Sequence, residues 1–297
     1  MFNTRIAPSP TGDFHIGTAR TLLFNYLAAK ASGGKFILRI DDTDIARNNE
    51  DHVKIIYDAV SWLGLGYDLT FRQSHRFDLY RNFAENLISS GLAKREDTAI
   101  RLDLPENFSY PECWVDELGG MQKINDKHII NTKNMVLIKS DGTPTYHFAT
   151  VIDDNEFDIN YIIRGTDHID NTARHVILYN IWKFDVPKYA HVGLIHRNKK
   201  KVSKRDSDLT ASLLHWKEKG IAPEAMITFL LRLGWGPKND TGKDAWNYPL
   251  EKAIAEFLTD GKMRSVSSNF DENILNKLNR IHLAGIEKAL KNETGVL

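Results

Sequence analysis

The pattern of apolar and polar positions predicts alternating strands and helices in the first part of the chain. A short strand at Arg5–Ala7 is followed by a helix over about His15–Ala31, which carries apolar residues on one face and ends at Gly33. The next apolar run, Lys35–Ile40, is typical of a strand buried in a parallel sheet. A strand, a helix and a strand at this spacing form a βαβ unit, so the pattern predicts an α/β domain.

The predicted alternation of strands and helices continues along the chain with one interruption. Short β-prone pieces flank a turn-rich stretch within residues 99–140, which predicts a small insertion in the α/β domain. From about residue 208 the pattern is mainly helical. The other predicted elements are helices at about 49–63, 76–91 and 170–183, and strands at 100–104, 135–139, 159–164 and 191–195.

Composition narrows the class of protein. The 297 residues exceed one average domain and include 42% hydrophobic and 26% charged residues, as in ordinary globular proteins. The 39 basic and 39 acidic residues balance, so any contact with nucleic acid must come from a local basic patch. The lone cysteine, Cys113, excludes an intrachain disulfide and a cysteine-based zinc site. No signal peptide or membrane-length apolar run is present, so we expect a cytoplasmic protein without membrane contact.

One candidate site lies where the first strand gives way to the first helix. A Pro/Gly turn precedes His15-Ile-Gly17, and a helix N-terminus favours phosphate through its unpaired N–H groups. Gly17 would let a base or ribose approach the backbone, and His15 can donate a hydrogen bond to a phosphate oxygen. The alternative is that His15 only caps the helix.

A second candidate is the basic loop Asn198–Arg205, with four lysines and an arginine in eight residues. Such a run is usually a solvated loop. As a functional loop, its Lys201 and Lys204 would clamp a triphosphate while Ser203 donates a hydrogen bond, which suits a reaction that builds charge on leaving pyrophosphate.

Taken together, the two motifs resemble the HIGH and KMSKS signatures of class I aminoacyl-tRNA synthetases. Within that class the chain resembles the glutamyl enzymes from about residue 4 to about residue 283. The motifs that carry the resemblance fall in family order and are Arg5-Ile-Ala-Pro-Ser-Pro-Thr-Gly12, Leu38-Arg-Ile-Asp-Asp-Thr-Asp44, Gly142-Thr-Pro-Thr-Tyr146, Val151-Ile-Asp-Asp154 and Ile163-Arg-Gly-Thr-Asp-His168.

The resemblance implies a Rossmann-like doubly wound parallel sheet with a small inserted subdomain and a C-terminal helical subdomain. The halves of the catalytic domain would occupy residues 1–92 and 141–207. Between them, residues 93–140 would form a shortened insertion that binds the acceptor arm of tRNA. Residues 208–297 would form a helical subdomain similar to a stem-contact region.

The chemistry of glutamate suggests which residues bind it, and the resemblance implies the same set. Guanidinium groups bind carboxylates bidentately, so Arg5 and Arg164 are the expected cations. Tyr146 can donate to the side-chain carboxylate and Asp41 can accept from the ammonium. The resemblance adds contacts from Ala7 and Ser9 and makes Arg164 the residue that distinguishes glutamate from glutamine.

For ATP, the resemblance implies phosphate contacts by His15 and Lys204 with support from Lys201 and Ser203. The remaining ATP-binding residues would be Gly17, Gly165, Asp167 and Val202. Magnesium would accompany the triphosphate, held mainly by phosphates and water, so we expect no dedicated protein metal site and no zinc. The reaction would need no protein nucleophile, because positioning and charge stabilisation supply the acceleration.

The sequence departs from the family at several points. Asp41 stands where bacterial glutamyl enzymes usually carry glutamate, and Thr166 replaces an acid in the Arg-Gly-Glu-Asp-His segment. Several dozen residues, which hold zinc in some members, are missing between Ala93 and Ile100. Because the resemblance ends near residue 283, we also expect the helical anticodon-binding domain to be missing.

Three hypotheses remain open. In the first, the chain is a compact monomeric ligase that glutamylates tRNA through the acceptor arm. Alternatively, it activates glutamate for another acceptor, such as queuosine-modified tRNA(Asp), another modified nucleobase or a small molecule. The third hypothesis is a non-catalytic, synthetase-like binding module, against which the intact His15-Ile-Gly17 and Lys201–Lys204 motifs argue.

Overall fold

A computed structural model describes residues 1–197, 200–201, 212–237 and 248–294. The chain begins with a parallel βαβαβ unit, in which strand order is β1-β2-β3. Its elements are β1 (Thr4–Ile6), α1 (Ile16–Ser32), β2 (Phe36–Ile40), α2 (Glu50–Trp62) and β3 (Leu69–Arg72). The predicted strand–helix–strand start is confirmed, and β3 adds a third strand that the apolar pattern did not reveal.

The region of the predicted insertion combines two small β structures. β4, β5 and β8 form an antiparallel sheet, whereas β6 and β7 form a hairpin that extends the main sheet through β10. The insertion boundaries at 93 and 140 therefore stay a prediction. The elements here are α3 (Phe77–Ser89), β4 (Ala93–Glu96), β5 (Ala99–Leu102), β6 (Cys113–Asp116), β7 (Gly120–Lys123), α4 (Asp126–Lys133) and β8 (Val136–Ile138).

The second half of the main sheet follows in α5 (Tyr146–Glu156), β9 (Tyr161–Gly165), α6 (Ile169–Trp182) and β10 (Lys188–Val192). β9 and β10 are parallel along their full length. The prediction of a strand at 191–195 is wrong in its bounds, because the chain leaves the sheet at Gly193. A side chain there would collide with the backbone of Val266, about 2.2 Å away.

The C-terminal region is mainly helical, as predicted, but short strands interrupt it. β15 pairs with β11, the strand that leads into the basic loop, so this region supports the start of that loop. The elements are β11 (Ile195–Arg197), β12 (Lys200–Lys201), α7 (Leu213–Glu218), α8 (Pro223–Arg232), β13 (Trp235–Pro237), α9 (Leu250–Glu256), β14 (Gly261–Met263), β15 (Ser268–Asn269) and α10 (Glu272–Thr294).

Helices cover both faces of the main sheet, as expected of a doubly wound fold. Along β9, Tyr161 and Ile163 pack in a core with α1, α2 and the C-terminal helices, whereas Ile162 packs in a second core with α3, α5 and α6. β2 alternates in the same way. Successive side chains of a strand point to opposite faces, so continuous apolar strands are buried on both sides.

The two halves of the sheet meet at Asn25 of α1. Its side-chain amide accepts from the backbone N–H of Ile163 (3.2 Å) and donates to the carbonyl of the same residue (2.8 Å). Asn25 thereby takes the place that a neighbouring strand would have at Ile163. β1 and β9 contact each other only near their starts, where Asn160 and Tyr161 donate to the carbonyl of Asn3. Ligands of such folds bind beyond the carboxyl ends of strands at a topological switch point, and a cleft lies there.

Candidate active site

The cleft lies between the carboxyl ends of β1 and β9 and the N-terminus of α1. Nine of the residues that the sequence assigned to a substrate line it together, although up to 162 positions separate them in the chain. These nine are Arg5, Ala7, Ser9, His15, Gly17, Tyr146, Arg164, Gly165 and Asp167. The lining residues come from both of the ranges predicted for the halves of the catalytic domain, 1–92 and 141–207.

His15 caps α1, and the capping fixes its protonation. Its Nδ1 accepts hydrogen bonds from the backbone N–H groups of Gly17 (3.1 Å) and Thr18 (3.3 Å). Nδ1 is therefore unprotonated, and the neutral ring carries its proton on Nε2, which lies 3.0 Å from Thr18 Oγ1. The capping and functional interpretations are thus compatible, because the cap presents an Nε2–H donor beside the cleft.

Gly17 and Gly165 are glycines for a steric reason that sequence reasoning did not supply. A Cβ on Gly17 would lie 3.0 Å from the His15 ring, and one on Gly165 would lie 2.4 Å from Asp167 Oδ1. Both glycines leave room for a neighbouring side chain that itself lines the cleft. Their small size thereby shapes the site in addition to any direct approach by a ligand.

Arg5 belongs to a buried network of charges under the cleft. Its Nε and Nη2 donate to the two carboxylate oxygens of Asp154 at 3.1 and 3.0 Å. Arg39 Nη1 also donates to Asp154, at 2.7 Å. Burial alone would raise the pKa of Asp154, but the attraction of Arg5 and Arg39 outweighs it and lowers that pKa below its usual value. Arg5 is therefore held rigidly by an anion from α5.

Asp41 is bound to Arg39 in the same buried network of charges. It is 6% exposed and does not line the cleft, because both of its oxygens accept from Arg39, Nε at 2.6 Å and Nη2 at 3.2 Å. Burial raises the pKa of Asp41 to about 6 despite this partner. Each carboxylate oxygen can accept a further hydrogen bond, so the predicted contact with a substrate ammonium stays a prediction.

Arg164 is a second cation of the cleft, and its hydrogen-bond partners are neutral. It is 5% exposed; Nε donates to His191 Nε2 (3.3 Å), and Nη2 donates to Thr172 Oγ1. Nη1 is buried and has no hydrogen-bond partner in the described part of the chain. No carboxylate of the described residues forms an ion pair with this guanidinium. A buried cation in this state is a strong candidate to bind an anion.

Neutral histidines surround Arg164. Arg174 donates to His147 Nε2 (3.3 Å), so the His147 proton is on Nδ1, which faces His175 Nε2 at 3.0 Å. Burial and then nearby arginines lower the pKa of His147 to about 4 and that of His175 well below its usual value. Tyr146 packs its ring against both, with centroid distances of 5.0 and 5.7 Å. Among the described residues around Arg164, the formal positive charge is therefore that of arginine, which favours an anionic ligand.

Sequence reasoning missed Arg20, which also lines the cleft. Its guanidinium is buried and donates to the carbonyls of Leu233 (2.7 Å) and Gly193 (2.5 Å), which join α1 to the C-terminal region. Burial lowers the pKa of Arg20 to about 10. Its position beside Ala19 and Leu22, on the apolar face of α1, is a signal that could have identified it.

Part of the basic loop lies outside the described residues. Val202, Ser203 and Lys204 belong to that part, so their predicted roles stay predictions. Lys201 ends β12, and only its backbone is described, paired with His196 of β11. The hairpin starts close to the cleft, since Ile195 is one of the lining residues.

Within the described residues, no group of three histidine, cysteine or acidic side chains has the geometry of a metal site. Cys113 is exposed and unpaired. Across the same described ranges, no helix combines the length and apolar character needed to cross a membrane.

Comparison with known proteins identifies the family of the chain. The family described as tRNA synthetases class I (E and Q), catalytic domain, matches residues 1–99 and 93–243. These matches cover most of the chain. The protein therefore belongs to this family of class I aminoacyl-tRNA synthetases.

Its relatives are glutamate–tRNA ligases. The chain is 35% identical over 301 residues to the enzyme of Acholeplasma laidlawii, covering 96% of this chain and 65% of that protein. It is 38% identical over 286 residues to glutamate–tRNA ligase 2 of Neorickettsia sennetsu, covering 95% and 66%. The chain thus spans slightly less than two thirds of the length of these two relatives.

Solved structures give the same result. The crystal structure of a glutamate tRNA ligase from Elizabethkingia meningosepticum, in complex with its amino acid, matches with a TM-score of 0.80 and 27% identity, covering 100% of this chain and 74% of that one. The glutamate–tRNA synthetase of Elizabethkingia anophelis matches equally well, with 75% of its chain covered. The predicted class I synthetase fold is confirmed.

Proposed function

We propose that this protein is a ligase that activates L-glutamate with ATP and transfers the glutamyl group to the 3′ end of a tRNA. The observation that carries the proposal is Arg164, a buried guanidinium with an unpartnered nitrogen and no carboxylate partner among the described residues. Its neutral surroundings make a substrate carboxylate the partner that balances its charge. The relatives named glutamate–tRNA ligase support the choice of amino acid.

Glutamate binding is assigned to both halves of the sheet. Arg164 would receive the side-chain carboxylate with help from the Tyr146 hydroxyl. Arg5 would contact the substrate through Nη1, since Nε and Nη2 are bound to Asp154. Ala7 and Ser9 would complete the pocket. Asp41 would act from below, by holding Arg39 and thus the charge network under Arg5.

In the proposed first step, an oxygen of the glutamate α-carboxylate attacks the α-phosphorus of ATP. A bond forms between that oxygen and phosphorus, the bond to the bridging oxygen breaks, and pyrophosphate leaves with the electron pair. His15 would donate from Nε2 to the phosphates, with Lys201, Ser203 and Lys204 supporting the same charge. Gly17, Gly165, Asp167 and Val202 would contact the nucleotide. Magnesium would arrive with the triphosphate, and it needs few protein ligands in that form.

In the second step a ribose hydroxyl at the 3′ end of tRNA attacks the activated carbonyl, and AMP leaves. We assign the acceptor arm to the insertion and to the C-terminal helices. The protein would work in the cytoplasm as a monomer.

ATP–pyrophosphate exchange tests the proposal directly. Glutamate, glutamine and aspartate would each be supplied with and without total tRNA from a bacterium. We expect exchange with glutamate in the presence of tRNA and at least about a hundredfold less with glutamine, whose neutral amide leaves Arg164 without an anion. Transfer of labelled glutamate to tRNA, followed by acid precipitation, tests the second step.

Two results would count against the proposal in different ways. No exchange with any of the three amino acids would refute amino-acid activation. Exchange with glutamate without any charging of tRNA would refute the acceptor and leave the first step intact. Lys204→Ala serves as the control for the basic loop, because it should abolish exchange without changing the thermal unfolding midpoint.

A further inference from the structure

Asp116 connects the β6–β7 hairpin to the floor of the cleft. It is buried at the end of β6, and its Oδ1 accepts from the backbone N–H groups of Leu118 (2.9 Å) and Gly119 (2.6 Å). Its Oδ2 accepts from the backbone N–H of His191 (3.0 Å) and lies 2.5 Å from Nδ1 of the same residue. No predicted role accounts for this aspartate or for His191.

These contacts fix which nitrogen of His191 carries the proton. A carboxylate can only accept, so Nδ1 is the protonated nitrogen. Nε2 is then the acceptor, and it faces the Nε donor of Arg164 at 3.3 Å. It also lies 2.8 Å from Thr172 Oγ1, whose one hydroxyl proton is shared with the carbonyl of His168 at 3.1 Å. Because arginine has no acceptor atom, its Nε can bond to His191 only while Nε2 is unprotonated.

The environment keeps this histidine neutral. His191 is 1% exposed, and burial lowers its pKa, with Arg164 adding to the effect and Asp116 opposing it. Protonation of Nε2 would direct an N–H at the guanidinium of Arg164. The neutral ring with its proton on Nδ1 is therefore the form that suits both neighbours.

From this geometry we infer that Asp116 and His191 are positioning residues for Arg164, setting its guanidinium so that Nη1 is the nitrogen that meets the substrate carboxylate. Asp116 selects the proton position on His191, and His191 then accepts from Nε. Thr172, which accepts from Nη2, completes the orientation. The inference rests on the proposed role of Arg164 in glutamate binding.

The alternative is that Asp116 only anchors the hairpin. Its three backbone contacts would serve that purpose without any effect on Arg164. The two possibilities differ in what happens to the His191 ring and to glutamate affinity when the carboxylate becomes an amide. A measurement of stability alone does not separate the two possibilities, because the change from carboxylate to amide lowers stability under either one.

Asp116→Asn is the first variant. If its amide oxygen keeps the two contacts at Leu118 and Gly119, the amide nitrogen replaces Oδ2 and can only donate to the ring. The His191 proton then moves to Nε2 and faces Arg164. We expect the KM for glutamate to rise about tenfold while kcat and the KM for ATP change less than about twofold. The assay is ATP–pyrophosphate exchange with saturating tRNA.

Nitrogen-15 NMR of histidine-labelled protein reports the proton position itself. Wild-type protein should show His191 protonated on Nδ1, and Asp116→Asn should show it protonated on Nε2. The signal is assigned by its loss in His191→Asn. Glu117→Gln is the matched control, because it makes the same chemical change one residue away without touching His191.

His191→Asn is the second variant. It tests the connection from Asp116 through His191 to Arg164 if Asp116→Asn folds poorly. Its shorter amide can still donate to Asp116 but places no acceptor near Arg164 Nε. The hairpin anchor is therefore retained while the orientation of Arg164 is lost, and the KM for glutamate should again rise about tenfold.

Several outcomes would overturn the inference. They are a wild-type His191 protonated on Nε2, a moved proton with unchanged KM for glutamate, and equal rises in the KM values for glutamate and ATP. By contrast, a wild-type protein that shows no exchange with glutamate refutes the proposed function, and this result is read before any variant is made.

Discussion

Three buried arginines line the cleft, and two of them, Arg5 and Arg164, differ in the charges around them. Arg5 lies over a network in which Asp154 accepts from both Arg5 and Arg39, so its charge is balanced within the protein. Arg164, across the cleft, contacts only neutral partners among the described residues. A balanced buried cation belongs to the framework, whereas an unbalanced one has a charge left for a ligand. The difference indicates that Arg164, more than Arg5, depends on a substrate carboxylate to balance its charge.

The largest expected effect comes from removing the carboxylate that balances the charge of Arg5. Asp154→Asn removes the anion shared by Arg5 and Arg39. Arg39 keeps Asp41, but Arg5 loses its carboxylate partner, and leaving this buried cation uncompensated should lower the free energy of unfolding by about 3–5 kcal/mol. Urea denaturation followed by circular dichroism measures this. Asp103→Asn, which removes an exposed pair with Lys94, is the matched control and should cost less than about 1 kcal/mol. A similar small loss for both variants would contradict the distinction.

Loss of Arg164 should have the opposite effect, with a small change in stability and a large loss of activity. Arg164→Gln leaves no carboxylate unpaired, so the free energy of unfolding should change by less than about 1 kcal/mol. Exchange with glutamate should fall at least about a hundredfold in kcat/KM, because the substrate carboxylate loses its cation. A strongly destabilised variant, or one that keeps its activity, would show that Arg164 is a framework residue like Arg5.

A smaller expected effect is on the pH dependence of stability, to which Asp41 and the histidines His147 and His168 contribute with opposite signs. The raised pKa of Asp41, about 6, means that the folded protein holds a proton that the unfolded chain has lost, so its contribution to stability falls as pH rises from about 4 to about 6. The lowered pKa values of His147 and His168, about 4, act in reverse, because the unfolded chain binds protons first as pH falls below about 6.5.

Single variants separate the two contributions. Asp41→Asn should make stability rise more steeply with pH between about 4 and 6, and His147→Gln should make it rise less steeply, each by on the order of 1–2 kcal/mol. Urea denaturation at half-unit pH intervals measures the slopes. Parallel profiles for wild type and both variants would show that neither group changes its pKa on folding.

The parts of the fold that sequence predicted are those with local signals. α1 has an apolar face, a capping residue and a terminal glycine, and it was predicted to within one residue at each end. α5 was missed because its residues Asp153 and Asp154 interrupt the apolar pattern. They are buried by partners that lie 73 to 149 positions away, namely Arg5, Arg39, Arg76 and Tyr80.

The candidate site shows the same difference between features with a local sequence signal and features set by distant residues. The amino-acid sequence alone determined the family and the two motifs, and it named half of the residues that line the cleft, because these depend on residue types in a fixed order. Only the tertiary structure decided that Arg5 is paired, that Asp41 is covered by Arg39, and that Arg164 is without an anion among the described residues. Charge balance in a protein interior depends on side chains brought together from distant positions, and a linear pattern carries no record of which ones meet.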